Sequence, residues 1–104
     1  KIANTRVFED KDGKINLSIK EVGGEILSVS QFTLYASTLK GNRPSFTEAA
    51  SGEDARVLYK VFNEALRAED IVVKEGFFGE HMDVRLTNDG PITIIYEAEG
   101  GKVI

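Results

Sequence analysis

The strongest constraint on the fold is an apolar repeat in the middle of the chain. Between Glu53 and Ala68, apolar side chains recur every four positions in two adjacent rows, formed by Val57, Val61 and Ala65 and by Leu58, Phe62 and Leu66. This spacing is typical of an amphipathic helix. Ser51, with Asp54 three positions later, supplies a capping pattern at its start. We predict one substantial helix, and we expect its apolar stripe to pack in the core rather than to bind a partner.

Segments typical of β-strands precede this helix. Arg6-Val7-Phe8 runs into an acidic turn that contains Asp12-Gly13, and the alternating stretch from Ile15 to Ile19 follows. This arrangement predicts a β-hairpin around a solvated turn. The stretch from Glu25 to Tyr35 is rich in β-branched and aromatic residues, which predicts a central strand. A loop from Ala36 to Ser45 then leads towards the helix.

Further strands are expected after the helix. Ile71 to Val73 is a short apolar run, Gly76 to Gly79 is a glycine-flanked turn, and Met82 to Leu86 alternates. Ile92 to Glu97 is expected to close the sheet, and the tail from Glu99 to Ile104 to fray. Residues 1–104 are therefore predicted to form a single α+β domain with a mostly antiparallel sheet packed with one main helix.

Composition narrows the classes of function. The chain has no cysteine and one histidine, which excludes disulfides, thiolate nucleophiles and multi-histidine metal centres. We expect no metal and no cofactor, although composition leaves an all-carboxylate site open. A net charge of −4 disfavours wrapping along nucleic acid, so such a partner would be held locally. No apolar run reaches the roughly 18 residues of a membrane span, so we expect no membrane partner and a cytoplasmic location.

The segment from Ser30 to Thr33 is the first candidate for chemistry. Its hydroxyl and amide side chains end a strand that otherwise reads as buried, where polar groups need partners. They either bond to neighbouring backbone or lie at the mouth of a pocket. In the pocket, Ser30, Thr33 and main-chain N–H groups could stabilise charge on an ester oxygen. The residues alone leave both interpretations open.

Three other features have plain structural explanations as well as functional ones. Asn88-Asp89-Gly90-Pro91 is typical of a tight turn, and the pattern does not determine the isomer of the Gly90–Pro91 bond. Lys40 and Arg43 lie in a glycine-containing loop that could contact a few RNA phosphates or could simply be solvated. His81 is expected at the surface, because no G-x-S-x-G elbow or other triad signature accompanies it.

Taken together, these segments resemble the D-aminoacyl-tRNA deacylase family, also called D-tyrosyl-tRNA deacylase. Several stretches match in the family's order, which is more specific than any one motif. They are Arg6 to Asp10, Val29 to Tyr35, Lys40-Gly41 with Pro44 and Phe46, Gly76 to Gly79 with Met82, and Asn88 to Thr93. The sheet of this family is barrel-like.

The resemblance implies a hydrolase that cleaves the ester of D-aminoacyl-tRNA, and of glycine mischarged on tRNA-Ala, as translational proofreading. It implies a homodimer in which a cis Gly90–Pro91 peptide enters the partner's pocket and its carbonyls exclude L-amino acids. The RNA's own ribose 2′-hydroxyl would assist cleavage. The pocket base would comprise Ser30, Gln31, Phe32 and Thr33, and the aminoacyl-tRNA acceptor end would be bound by Phe78, Met82, Asn88, Lys40 and Arg43.

Two departures from the family pattern keep alternatives open. Relatives usually carry an additional strand pair and much of a helix before the position of Lys1, so we expect an N-terminally incomplete domain. Ala36-Ser37 also replaces a common Gly-Asp. One alternative is a non-catalytic, truncated dimerisation or RNA-binding module. The other is a sibling deacylase that acts on mischarged L-alanyl-tRNA, which Phe32 disfavours.

Overall fold

Six short strands and one long helix form the framework of the protein. The computed structural model describes residues 1–104. In chain order its elements are a 3₁₀ helix at Ile2–Asn4, β1 (Arg6–Glu9), β2 (Ile15–Ser18), α1 (Ile19–Val22), β3 (Ile26–Ser28), a second 3₁₀ helix at Phe32–Tyr35, α2 (Gly52–Arg67), β4 (Val73–Glu75), β5 (Ala98–Glu99) and β6 (Lys102–Val103).

The strands associate in three separate pairs. β1 with β2 and β5 with β6 are antiparallel, whereas β3 and β4 are parallel. The predicted α+β class, with antiparallel pairs and one main helix, is confirmed. The barrel-like closure implied by the resemblance is absent, because each sheet has only two strands.

The β1–β2 turn is organised by the carboxylate of Asp10. Its Oδ1 accepts hydrogen bonds from the N–H groups of Asp12 (2.9 Å) and Lys14 (3.0 Å), and its Oδ2 accepts one from Asn16 (3.2 Å). Gly13 has a φ of 74°, which a glycine adopts without steric cost. The pKa of Asp10 is lowered, chiefly by the hydrogen bond from the Lys14 N–H; burial opposes this shift, and the Asp12 and Asn16 hydrogen bonds add smaller lowering effects. The predicted hairpin is confirmed.

Because the native state lowers the pKa of Asp10, this carboxylate stabilises the fold above its unfolded pKa of about 3.9. That stabilisation is lost as the pH falls through the lower native value. Asp10→Ala should therefore reduce the urea midpoint at pH 7, and its difference from the wild type should vanish in strong acid. Asp12→Ala is the matched control, because the Asp12 side chain accepts no hydrogen bond. Equal effects of the two substitutions would contradict this role of Asp10.

Helix α2 forms where the apolar repeat predicted it, but only one residue of the apolar stripe is buried. Ser51 caps the helix by accepting from the Asp54 N–H (3.2 Å), and the buried residues of α2 are Asn63 and Leu66. The expectation that the whole apolar stripe packs in the core is wrong: Val57 and Val61 are each 58% exposed. Of the stripe, only Leu66 reaches the core, where it lies with Ala3, Ile71 and Val73.

The long central strand expected from Glu25 to Tyr35 is also wrong. β3 is only three residues long and has one neighbour, β4. The chain then turns into the 3₁₀ helix at Phe32–Tyr35, where Leu34 is 84% exposed. A central strand has a neighbouring strand on each edge, whereas β3 has a neighbouring strand on one edge only.

The C-terminal part differs from expectation in two ways. The stretches 82–86 and 92–97 are not assigned as strands, so residues 92–97 do not close a sheet. The tail is not frayed, because β5 and β6 pair around Gly100-Gly101, whose φ angles are 59° and 78°. The radius of gyration is 15.9 Å, against about 13 Å for a compact domain of this length. The chain is therefore less compact than a typical domain of its length, and its core is small.

Candidate functional site

The candidate site forms where β3 and β4 end together. The two strands are parallel and pair Ser28 with Glu75, so the segments that follow them leave the sheet at one edge. The carbonyl oxygen of buried Ser28 accepts two hydrogen bonds there, from the Tyr59 hydroxyl (2.7 Å) and from the Gly76 N–H (3.0 Å). One backbone atom therefore joins β3, α2 and the loop after β4.

The first segment at this edge contains the predicted pocket base. Ser30 is half-buried, whereas Gln31, Phe32 and Thr33 are exposed. Gln31 donates from Nε2 to the Thr33 hydroxyl (2.6 Å), so these two side chains satisfy each other rather than the backbone. The N–H groups of Phe32 and Thr33 begin the 3₁₀ helix and have no backbone acceptor. Main-chain donors are therefore available beside the polar side chains.

The loop that carries Lys40 and Arg43 is held against this segment. Backbone hydrogen bonds between Ser37 and Ser45, both 2.8 Å long, close the base of the loop. Phe46 then packs edge-on against Phe32, with ring centroids 5.0 Å apart and planes at 67°. Neither Lys40 nor Arg43 takes part in a salt bridge. Two unpaired cations thus lie on a loop fastened to the predicted pocket base.

The second segment at the edge is the loop from Gly76 to Met82. The Phe77 N–H donates to the Met82 sulfur (3.1 Å). A Cβ on Gly76 would lie 2.8 Å from that sulfur and 3.8 Å from the Val29 side chain, so glycine permits this close approach. Met82 therefore packs near Val29, the residue between the end of β3 and Ser30. The structure brings this part of the predicted substrate site beside the predicted pocket base.

Phe78 contacts two side chains of α2. Its ring is 5.8 Å from the Tyr59 ring, and the Arg56 guanidinium is 4.7 Å from its centroid, within cation–π range. A cleft of about 660 Å³ opens here, and Phe78 is the only predicted site residue that lines it. The cleft is lined by Arg56, Tyr59, Lys60, Glu64, Arg67, Glu75, Gly76, Phe77, Phe78 and Glu80.

Arg67 fixes the floor of this cleft. Its guanidinium contacts Glu64 (2.7 Å) and Glu75 (3.0 Å) and donates to the Val73 carbonyl (2.7 Å). The hydrogen bonds to Glu64 and then to Glu75 raise the pKa of Arg67, so the cation persists at every working pH. Buried Asn63 adds a hydrogen bond to Glu75 (2.9 Å). These contacts anchor β4 to α2 directly before Gly76.

The Gly90–Pro91 turn lies in another part of the chain. Its peptide bond is cis, the isomer that the resemblance implies, and Gly90 has a φ of 130°. Both residues are exposed, and the flanking Asp89 and Ile92 line a second cleft, of about 410 Å³, together with residues of β1. No hydrogen bond links the turn or Asn88 to the Ser30 segment. The structure therefore does not bring Asn88, Gly90 or Pro91 into the site of the same chain.

His81 is at the surface, as predicted. Its side chain is 96% exposed, and its Nε2 lies 3.9 Å from an Asp83 carboxylate oxygen. The sequence reasoning missed Arg56 and Tyr59, neither of which belongs to a recognised motif. The signal was a polar row along α2, because Arg56, Tyr59, Asn63 and Arg67 are spaced three to four residues apart.

Comparison with known proteins identifies the family. Residues 1–97 match the family model described as D-Tyr-tRNA(Tyr) deacylase. A D-aminoacyl-tRNA deacylase of Staphylococcus haemolyticus is 58% identical over all 104 residues, which cover 69% of that relative. One from Bifidobacterium animalis subsp. lactis is 62% identical over 99 residues, which are 95% of this chain and 62% of that relative.

A solved structure has a similar fold. The chain superposes with a TM-score of 0.84 and 45% identity on a protein titled c-Myc DNA Unwinding Element Binding Protein, over 96% of this chain and 68% of that one. The chain belongs to the D-Tyr-tRNA(Tyr) deacylase family. It spans about two thirds of the length of these relatives. None of its helices is long and apolar enough to cross a membrane.

The Phe32–Phe46 contact should control the mobility of the cationic loop. An aromatic pair contributes about 0.5–1.5 kcal/mol beyond its buried area. Phe46→Leu removes that contribution, so amide exchange at Ser37 and Ser45 should accelerate about two- to twelvefold. Leu39→Ala in the same loop is the control, because Leu39 is 94% exposed. The docking of the loop is refuted if exchange is unchanged in Phe46→Leu or equally fast in the control.

Proposed function

We propose that this chain hydrolyses the ester that joins a D-amino acid to the terminal adenosine of tRNA. The observation that carries the proposal is the convergence of two segments at one sheet edge in a chain of the D-Tyr-tRNA(Tyr) deacylase family. Ser30 to Thr33 follows β3, and the Gly76 to Met82 loop follows β4. Relatives that are 55–62% identical carry the name D-aminoacyl-tRNA deacylase.

The proposed reaction needs no protein nucleophile. Water adds to the ester carbonyl carbon, the bond to the ribose oxygen breaks, and a free D-amino acid and tRNA leave. Negative charge develops on the carbonyl oxygen, where the unpaired N–H groups of Phe32 and Thr33 can donate. Ser30 and Gln31 complete the wall of the pocket. The ribose 2′-hydroxyl assists proton transfer. This suits a chain whose one histidine is exposed and forms no hydrogen bond to a serine.

Recognition of the acceptor end is assigned to residues that suit its chemistry. Phe78 and Met82 offer an aromatic face and a polarisable sulfur to the terminal adenine, as single-stranded RNA recognition commonly requires. Asn88 lies beside the Gly90–Pro91 turn and outside the site of its own chain, so in this proposal it offers further hydrogen bonds from a second copy. Lys40 and Arg43 contact nearby phosphates, and two such cations agree with local binding by a chain whose net charge is −4. Because charged tRNA is the substrate, we place the activity in the cytoplasm.

Selection of chirality is assigned to a homodimer. Gly90 and Pro91 are exposed and make no hydrogen bond to their own Ser30 segment, which leaves them accessible to a second copy. In this proposal their carbonyls enter the partner's pocket and repel the substituent of an L-amino acid at Cα. Glycine has no such substituent, so the same pocket admits glycine mischarged on tRNA-Ala. A test of the Cα substituent discriminates without reading the variable side chain.

The function is tested with the purified full chain, D-tyrosyl-tRNA and L-tyrosyl-tRNA. The D-ester should be hydrolysed at least about a hundredfold faster, because a substituent aimed at fixed carbonyls is rejected by several kcal/mol. Release of labelled tyrosine measures both rates, and glycyl-tRNA-Ala is the third substrate. Equal rates for the two enantiomers, or no hydrolysis of either, would refute the proposal. Binding of the charged tRNA without cleavage would indicate the non-catalytic module instead.

A glycine pair provides the matched variants for this assay. Gly90→Ala places a Cβ on a backbone with a φ of 130°, 3.4 Å from the Ile92 nitrogen, and should displace the turn. The ratio of D- to L-hydrolysis should then fall at least about tenfold. Gly13→Ala imposes comparable backbone strain at a φ of 74° in the β1–β2 turn, and should leave the ratio unchanged. A fall in both variants, or in neither, counts against the role of the turn.

A further inference from the structure

We propose that Tyr59 is a positioning residue that couples the two halves of the site. The inference rests on the proposed deacylase function. It assigns a role to a side chain of α2 that lies outside both the Ser30 to Thr33 segment and the Gly76 to Met82 loop. Tyr59 uses two chemically different parts at once. Its hydroxyl bonds the Ser28 carbonyl at 2.7 Å, and its ring lies 5.8 Å from the Phe78 ring.

The hydroxyl acts on the pocket base. Ser28 lies two residues before Ser30, and its carbonyl oxygen also accepts the Gly76 N–H at 3.0 Å. Two donors on the carbonyl oxygen of buried Ser28 fix the orientation of this peptide group. They therefore also fix the direction in which the backbone continues towards Ser30. Loss of the Tyr59 donor frees the end of β3 without removing any atom that touches the substrate. The N–H groups of Phe32 and Thr33 would then be less well aligned with the developing charge.

The ring acts on the adenine side. Phe78 contacts both the Tyr59 ring on α2 and the Arg56 guanidinium, which lies 4.7 Å from its centroid. An aromatic pair of this kind limits the motion of the Phe78 ring and so presents a fixed face for stacking. The helix is itself anchored to β4 through Arg67 and Glu75. Tyr59 therefore transmits the position of one rigid helix to both the ester pocket and the base-binding face.

The two parts of Tyr59 predict two different kinetic effects. Tyr59→Phe removes only the hydroxyl, so kcat should fall about three- to tenfold, as for one lost hydrogen bond, while KM changes less than about twofold. Tyr59→Leu also removes the ring and should raise KM in addition. Tyr35→Phe is the matched control, because the Tyr35 side chain is 62% exposed and its hydroxyl forms no hydrogen bond. A general loss of stability would not separate kcat from KM in this way.

A second readout needs no activity. Amide exchange at Gly76, measured by NMR, should be faster in Tyr59→Phe than in the wild type and unchanged in Tyr35→Phe. Wild-type kinetics in Tyr59→Phe, or unchanged exchange at Gly76, would overturn the inference. If the wild-type chain hydrolyses no aminoacyl-tRNA, the proposed function fails on its own. Faster exchange at Gly76 would then still support the coupling through Ser28, and unchanged exchange would overturn that as well.

Discussion

The hydrogen bonds to the Ser28 carbonyl are the contacts on which the candidate site depends. This oxygen lies at the last residue of β3 and is shared by a side chain of α2 and by the backbone after β4. A buried carbonyl needs a partner, and here it has two from different elements. The Ser30 to Thr33 segment and the Gly76 to Met82 loop lie close together for two reasons. The parallel strands β3 and β4 end at one edge, and side chains of α2 form hydrogen bonds to the ends of both strands.

Helix α2 contributes to the site through its polar row and not through its apolar stripe. Tyr59, Asn63 and Arg67 face β3 and β4, where they donate hydrogen bonds to the Ser28 carbonyl, the Glu75 carboxylate and the Val73 carbonyl, respectively. Directed contacts of this kind position backbone more narrowly than apolar packing, since each depends on distance and angle. Val57, Leu58 and Val61 of the apolar stripe are exposed and line no part of the site.

The sequence predicted those parts of the fold that local chemistry determines. The α2 helix follows from its apolar period and its Ser51 cap, and the β1–β2 hairpin from Asp12-Gly13. Both are present. The prediction failed where a segment depends on distant partners. The stretch after Ser28 has the composition of a buried strand, yet it forms a 3₁₀ helix because strand composition does not supply a neighbouring strand.

The same limit applies to the site. Sequence motifs identified Ser30 to Thr33, Phe78 and Met82 as site residues, and the structure brings them to one edge of the β3–β4 sheet. No motif indicated Tyr59, because its role arises only from the packing of α2 on the end of β3. The isomer of the Gly90–Pro91 bond could not be derived from residue types alone, since glycine and proline in a turn are compatible with both isomers. The resemblance supplied it.

The most direct test of the account is whether one bound ligand shifts NMR signals of both the Ser30 to Thr33 segment and the Gly76 to Met82 loop. The ligand is an amide-linked, non-hydrolysable analogue of D-tyrosyl-adenosine, titrated into labelled protein and followed by NMR. Met82 is the only methionine and gives one methyl signal, while the Phe32 and Thr33 amides report on the pocket base. The account predicts that all three signals shift with the same dissociation constant. A ligand that shifts the Met82 methyl but leaves both amides unchanged would contradict it.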